Sequence, residues 1–373
     1  MQLNNEKISI VFLFPSLKTG GGNRVFIELA NNLPEDKYDV TIICPRSKEE
    51  NAYIIAENIA IKQVGELPLN NRMRIRNILK TLRVVRKDYK NSLLIISDPI
   101  ISLFIGTLIR KKNVYRFIQA NDYTLFDDRF LIKNLLALKV YKRWTLASFK
   151  ARIHYIFNSV YSYKCFEKVS GRSFEPDVVH PGIDPLKFNI ERRRPAMEGQ
   201  GLTLSLIARK HPLKGLNDFF EAWKIMDNEA KDKVTKVLLI THDDILVPED
   251  DKFSIVSPHN DLEMSSLYQS SDIFLSCSWE EGFGLPGVEA MACGCCLVTS
   301  DSGGINEYAV NGKNSLIYPP RETSMLKECL ERVILDGQLR RQFSIQGMAD
   351  AAGFTWKNSA KFFESLIVRD IKY

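Results

Sequence analysis

The sequence predicts an α/β protein of two doubly wound parallel-sheet domains. Three features carry that expectation. Apolar runs of strand length alternate with helix-length segments along nearly all of the 373 residues. The first run leads into a glycine-rich loop and then an amphipathic helix, the opening of a parallel α/β unit. A stretch rich in Pro, Gly and charge divides two such series, in a chain too long for one ordinary core.

In order, ISIVFLF (8–14) is the first buried strand, broken by Pro15 before Gly20, Gly21 and Gly22. Val25, Phe26, Leu29, Ala30 and Leu33 then share one helical face, with Pro34 just beyond. DVTIICP (39–45), SLLIISD (92–98), VYRFIQA (114–120) and RIHYIFNS (152–159) continue the series, giving a first domain over 1–185. HPGIDPLKFNIERRRPAMEGQG (180–201) has no usable periodicity, and 186–200 is read as the inter-domain linker. LTLSLIA (202–208), KVLLITH (236–242), FSIV (253–256), DIFLSCS (272–278), CCLVTSD (295–301) and SLIYPP (315–320) form the second domain, 201–355. Two such domains leave a cleft, and ligands of these sheets sit beyond the carboxyl ends of the strands.

Charge is uneven. The first 185 residues carry 29 Lys and Arg against 18 Asp and Glu, the remainder 22 against 27. The excess gathers in RMRIRNILKTLRVVRKDYK (72–90), where Ile75, Ile78, Leu79, Leu82 and Val85 form a helical stripe flanked by basic residues. A second basic stretch covers 132–152. Such helices are either solvated faces or docking surfaces for an anionic lipid or acceptor. Nucleic acid is not expected, because no reading motif or aromatic platform accompanies the charge. No apolar run reaches the ~18 residues of a membrane span, and the opening residues lack the pattern of a signal peptide. A cytoplasmic protein is expected. Cys293 and Cys296 form a C-x-x-C without a second pair or nearby His, so the thiols of CGCC (293–296) read as buried and inert and no metal site is expected.

The residues that carry chemistry fall at strand ends. Gly20–Gly22 open a helix, where glycines admit close backbone approach and free N–H groups attract an anion; a tight turn would look the same. Arg209 and Lys214 sit five apart in ARKHPLKG, in a loop that Pro212 keeps from being helical. They are either solvated or a grip for a diphosphate. SCSWEEGFGLPGVEAMACG delivers Glu281 at a strand end, exposes backbone donors at Gly282, Gly284 and Gly287, and places Glu289 on the first turn of a helix. Carboxylates accept from paired hydroxyls, as sugars and ribose offer; an acid in a first turn is also plain dipole complementarity. The acidic His242-Asp243-Asp244 reads as a polar loop.

EGFGLPGVE, ARKHPLKG, SGGINEYAVNGKNSLIYPP and TGGGNRVFIELANNL, in that family's order, resemble the retaining glycosyltransferases of family 4. The resemblance implies the GT-B fold, two facing Rossmann-like domains with an inter-domain cleft, and a C-terminal helix (356–373) crossing back to the first domain. It assigns Arg209 and Lys214 to the donor's diphosphate in place of a metal ion, and no cofactor. It gives Glu289 the ribose, and Glu281 a hydroxyl of the transferred sugar. Backbone N–H groups at Phe283, Gly284 and Leu285 hold sugar and phosphate, with Gly20, Gly21 and Gly22 closing from the first domain. Many relatives carry a histidine at a first-domain strand end. Here RFIQANDYTLF supplies Gln119, Asn121 and Asp122 on the acceptor side, a version similar to a branch that includes bacterial polysaccharide rhamnosyltransferases.

The expectation is a metal-independent, retaining hexosyltransferase. It would move a sugar from a nucleotide diphosphate donor to a bacterial surface glycan, lipopolysaccharide or capsule, or to its lipid-linked precursor. The alternative is a catalytically silent nucleotide-sugar-binding partner of a glycan-assembly complex. An anionic membrane surface is the further expected partner, on the inner face of the cytoplasmic membrane.

Overall fold

The computed structural model describes residues 7–17, 20–48, 53–108, 113–123, 135–191, 193 and 201–371. The chain forms two compact units, Met1–Pro181 with Trp356–Tyr373, and Gly182–Thr355. Residues 192 and 194–200 of the expected linker lie outside the described residues, as do 124–126 and 132–134 of the quoted segments and Lys18 and Thr19. Phe188, early in the expected linker, is buried in the core of the second unit.

The first unit holds a seven-stranded parallel sheet of β1 (Ile8–Leu13), β2 (Tyr38–Pro45), β3 (Ala60–Val64), β4 (Leu93–Ile96), β5 (Val114–Ile118), β6 (His154–Phe157) and β7 (Asp177–Val178). The spatial order β3-β2-β1-β4-β5-β6-β7 reverses between β1 and β4, where Phe12 stands opposite both Ile42 and Ile95. Helices α1 (Gly21–Asn31), α2 (Asn71–Asp88), α3 (Pro99–Leu108), α4 (Leu135–Phe149) and α5 (Val160–Ser170) lie along the connections. The apolar runs became the central strands. β3 was not foreseen: AIKQV buries only Val64 and forms a polar edge strand without an apolar signature. The stripe of α2 is split. Leu82 and Val85 enter the core, whereas Ile75 is 59% and Leu79 50% exposed.

The second unit holds β8 (Leu202–Ile207), β9 (Val234–Ile240), β10 (Phe253–Val256), β11 (Ile273–Ser276), β12 (Cys296–Ser300) and β13 (Ser315–Tyr318). They are parallel in the order β10-β9-β8-β11-β12-β13, with the switch between β8 and β11. Its helices are α6 (Leu216–Ile225), α7 (Asn228–Lys233), α8 (Asp261–Gln269), α9 (Leu285–Ala292), α10 (Thr323–Leu335) and α11 (Gly337–Ala351). Side chains alternate across the sheet, as a two-sided burial requires. Ile273 and Leu275 of β11 pack with Phe219 and Trp223 of α6 and Leu326 of α10. Phe274 packs on the other side with Tyr268 of α8 and Val288 and Met291 of α9. Cys293, Cys295 and Cys296 are buried free thiols, and burial pushes Cys293 and Cys296 up to about 12. They stay protonated at neutral pH, as packing groups.

The last helix, α12 (Trp356–Ile371), belongs to the first unit. Phe363 meets Phe12 with ring centroids 6.1 Å apart, and Lys37 pairs with Glu364 at 3.0 Å. Among the described residues no helix is long and apolar enough to cross a membrane.

Candidate active site

The carboxyl end of β11 carries the chain to Glu281, whose backbone is fixed on both sides. Its N–H donates to the Ser302 carbonyl at 2.8 Å, and its carbonyl accepts from Gly304 N–H at 3.0 Å. The approach is so close that a Cβ on Gly304 would lie 2.1 Å from the Gly282 carbonyl oxygen. Gly304→Ala must therefore push two backbone segments apart. It is expected to destabilise the protein by about 1–3 kcal/mol, read by urea denaturation, and an unchanged midpoint would contradict the packing described.

Beyond Glu281 the turn enters α9. Gly284 is its N-cap in the left-handed region (φ 84°), and Pro286 occupies the first turn, where its missing N–H matters least. Because the helix starts at Leu285, Glu289 lies in the second turn, one turn deeper than the sequence suggested, so helix-start dipole complementarity does not explain it. Its side chain is 3% exposed. Phe283 is also buried, its ring 5.4 Å from Tyr308 and 5.7 Å from Phe354, so this residue offers the site its backbone only. At the start of α9, Pro286 has no N–H, Gly287 N–H donates to the Gly284 carbonyl at 3.0 Å and Val288 N–H donates to the Tyr308 hydroxyl, which leaves Leu285 N–H to meet an anion.

Sequence reasoning missed Tyr308. Its hydroxyl donates to the Gly284 carbonyl at 2.5 Å, and a Cβ on Gly287 would sit 2.2 Å from that oxygen. Burial first, then the negative charges of Glu281 and Glu289, push the phenol well above its usual range. Both carboxylates therefore act on one buried hydroxyl that supports the turn between them. A glycine opposite a tyrosine leaves no one-dimensional signature, so nothing in the sequence pointed to it.

The cations come from the carboxyl end of β8. Arg209 Nε donates to Asp243 Oδ2 at 2.9 Å, and Lys210 N–H donates to the same oxygen at 2.9 Å. The Lys210 N–H, and after it Arg209, hold the Asp243 carboxyl below its usual range. Asp243, read from sequence as part of a polar loop, is thus the anchor of Arg209. Lys214 ends a single 3-10 turn, Pro212–Lys214. Gly215 follows in the left-handed region, where a Cβ would lie 2.0 Å from the Cys277 carbonyl oxygen, and Trp279 N–H donates to Leu213 O at 2.8 Å. The turn is thereby locked to the end of β11, and Lys214 Nζ reaches Glu281 Oε1 at 2.6 Å. A cavity of about 380 Å³ opens beside Arg209, lined also by His211, Asp218 and Trp279.

Within the first unit, Gly20 caps α1 and Gln119 Nε2 donates to the Gly22 carbonyl at 3.2 Å. Asn158 Nδ2 holds the Gln119 carbonyl at 2.7 Å. Asn121 is half-buried. Asp122 is 9% exposed and accepts from the fully buried Arg116 at 2.5 Å. Burial raises its carboxyl against the pull of that guanidinium. Gly21 lies open, with nothing near the position a Cβ would take.

A family model described as Glycosyltransferase Family 4 matches residues 19–186, and one described as Glycosyl transferases group 1 matches 250–349. Between them they span most of the chain, and the protein belongs to the family 4 glycosyltransferases. The D-inositol 3-phosphate glycosyltransferase of Nocardia farcinica is 24% identical over 204 residues, 50% of this chain and 45% of its own. That of Corynebacterium diphtheriae is 31% identical over 111 residues, 30% and 26% of the two chains. The serotype-specific mannosyltransferase WbdA of Escherichia coli is 30% identical over 100 residues, 27% and 12%. The chain spans about half or less of the length of these curated relatives.

Among solved structures, a sucrose-phosphate synthase of Thermosynechococcus elongatus superposes with a TM-score of 0.78 at 14% identity, over 97% of this chain and 99% of that one. WaaG, a glycosyltransferase involved in lipopolysaccharide biosynthesis, gives 0.75 at 15%, over 96% and 99%. Anabaena HepE in complex with UDP-glucose gives 0.72 at 16%, over 97% and 100%. The fold is GT-B.

Proposed function

We propose that the protein is a retaining, metal-independent glycosyltransferase that moves a hexosyl group from a nucleotide diphosphate sugar to a bacterial surface glycan or its lipid-linked precursor. The observation that carries the reading is the convergence of Arg209, Lys214 and Glu281 with the start of α9 at neighbouring strand ends of one sheet. Two cations beside a helix start suit a diphosphate; a carboxylate in the same place suits a sugar hydroxyl. Two neighbours, HepE in complex with UDP-glucose and WaaG of lipopolysaccharide biosynthesis, support a sugar nucleotide donor and a surface-glycan acceptor.

In this reading the bond from the anomeric carbon to the phosphate oxygen breaks, and the acceptor oxygen bonds to that carbon on the same face. The departing phosphate takes the acceptor's proton. Arg209 and Lys214 stabilise the charge that grows on the leaving diphosphate, the part a metal ion plays elsewhere. Glu281 orients the transferred sugar and Glu289 holds the ribose. Backbone N–H groups at Phe283, Gly284 and Leu285 face the sugar phosphate. In the first unit we assign Gly20, Gly21 and Gly22 to donor binding and Gln119, Asn121 and Asp122 to acceptor binding. Ligand-observed NMR across UDP-, GDP- and dTDP-sugars tests the donor assignment. Binding of at least one sugar nucleotide is expected, and binding of none would refute it.

We further assign the protein to the inner face of the cytoplasmic membrane. Exposed Ile75 and Leu79 stand among exposed Arg72, Arg76, Arg83, Arg86 and Lys87 on α2, the pairing an anionic interface favours. Vesicle binding should weaken with salt, since exposed charge is screened within about 8–10 Å. Reversing Arg83, Arg86 and Lys87 together should weaken it too; vesicle sedimentation unchanged by the triple substitution would leave α2 a solvated helix.

A further inference from the structure

The two cations of the site are held differently. Arg209 is anchored through Nε, and its terminal nitrogens make no hydrogen bond among the described residues, so they can receive a phosphate with nothing displaced. Lys214 is already engaged, 2.6 Å from Glu281 Oε1, with side chains 36% and 20% exposed. Neither partner can withdraw its backbone. Lys214 is locked by Gly215 against Cys277 and by Trp279 N–H on Leu213, and Glu281 by Ser302 and Gly304. Any exchange must therefore occur at the side chains.

We propose that Lys214 is shared between Glu281 and the donor's diphosphate, so that sugar recognition by Glu281 is conditional on a diphosphate. This rests on the donor reading above and deepens it. Lys214 Nζ occupies Glu281 Oε1, a carboxylate oxygen that a sugar hydroxyl would use. A diphosphate carries enough negative charge to compete for the ammonium, and Arg209 supplies its second contact. As Lys214 turns to the diphosphate, Glu281 is released to accept from the sugar. A free sugar offers no such charge and leaves the pair closed; a sugar monophosphate draws on it less. The pair thus selects sugars carried on a diphosphate, and it acts before any chemistry.

The consequence is counter-intuitive for a residue inside the binding site. Glu281→Gln should tighten nucleoside diphosphate binding about fivefold, because Lys214 no longer has a charged competitor. Glu281→Asp keeps the charge but draws it back by one methylene, and should tighten binding in the same direction. In a Lys214→Ala background neither substitution should change affinity. The probes are UDP, GDP and dTDP, titrated calorimetrically or by NMR to millimolar concentration, with thermal denaturation to verify folding. A gain for Glu281→Gln that persists with Lys214→Ala, or that is absent from Glu281→Asp, would mean simple charge removal and overturn the proposal. So would unchanged or weaker binding by Glu281→Gln. Failure of the unaltered protein to bind any of the three diphosphates would instead remove the donor reading itself, and this proposal with it.

Discussion

Arg209→Ala and Lys214→Ala are each expected to lower kcat/KM about a thousandfold, roughly 3–4 kcal/mol of transition-state stabilisation. The charge each cation answers grows as the diphosphate leaves, so the loss should appear in kcat more than in donor KM. The routes differ. Arg209→Ala removes both terminal guanidinium nitrogens and, among the described residues, leaves the Asp243 carboxylate to Lys210 N–H. Lys214→Ala would remove the proposed diphosphate contact and also unpairs Glu281, so part of its loss should come from a misdirected carboxylate. Steady-state kinetics of both variants, with denaturation midpoints as a check on folding, measure the effect. Near-normal kinetics in both would remove the diphosphate assignment.

The second large effect is expected at Glu289. If its carboxylate holds the ribose, Glu289→Gln should weaken nucleoside diphosphate and intact donor alike, by about ten- to a hundredfold, the value of a hydrogen bond to a charged group. Glu289 lies behind the turn supported by Tyr308, and its charge bears on that phenol. The near-isosteric amide changes little volume at this 3%-exposed position, and an unchanged denaturation midpoint would separate loss of charge from loss of fold. Glu281→Gln should behave in the opposite way, with turnover lowered and diphosphate affinity raised. Calorimetry with the diphosphate alone separates the two carboxylates. Equal losses in both variants would place both on the nucleotide.

The central strands were legible because β1, β2, β4 and β5, and β8, β9, β11 and β12 in the second unit, are apolar runs bounded by turn residues. The edge strand β3 was not, because a strand with one buried residue carries no hydrophobic signal. The start of α9 was placed late. Gly284-Leu285-Pro286 is itself a helix-start pattern, with a left-handed glycine and then proline in the first turn, and it moves Glu289 inward. In the site, the charged residues stand out by type and spacing, but their pairing does not. Asp243 is 34 positions from Arg209, and Glu281 is 67 from Lys214, so both pairs exist only through the order β9-β8-β11 of the sheet. The Tyr308 support is of the same kind. It depends on Gly287 having no side chain, and on the chain after β12 passing close enough to Gly282 that only Gly304 fits.

Fixed cations, in the proposed function, drive transfer of a sugar from its nucleotide diphosphate. The most direct measurement is the release of nucleoside diphosphate from a bound sugar nucleotide in excess EDTA, with a lipid-linked oligosaccharide extract as acceptor. Continuous release at the same rate with and without EDTA is the expected result, abolished by Lys214→Ala. Donor binding without any release, as a silent nucleotide-sugar-binding partner would give, or a strict and reversible requirement for Mg²⁺ or Mn²⁺, would contradict it.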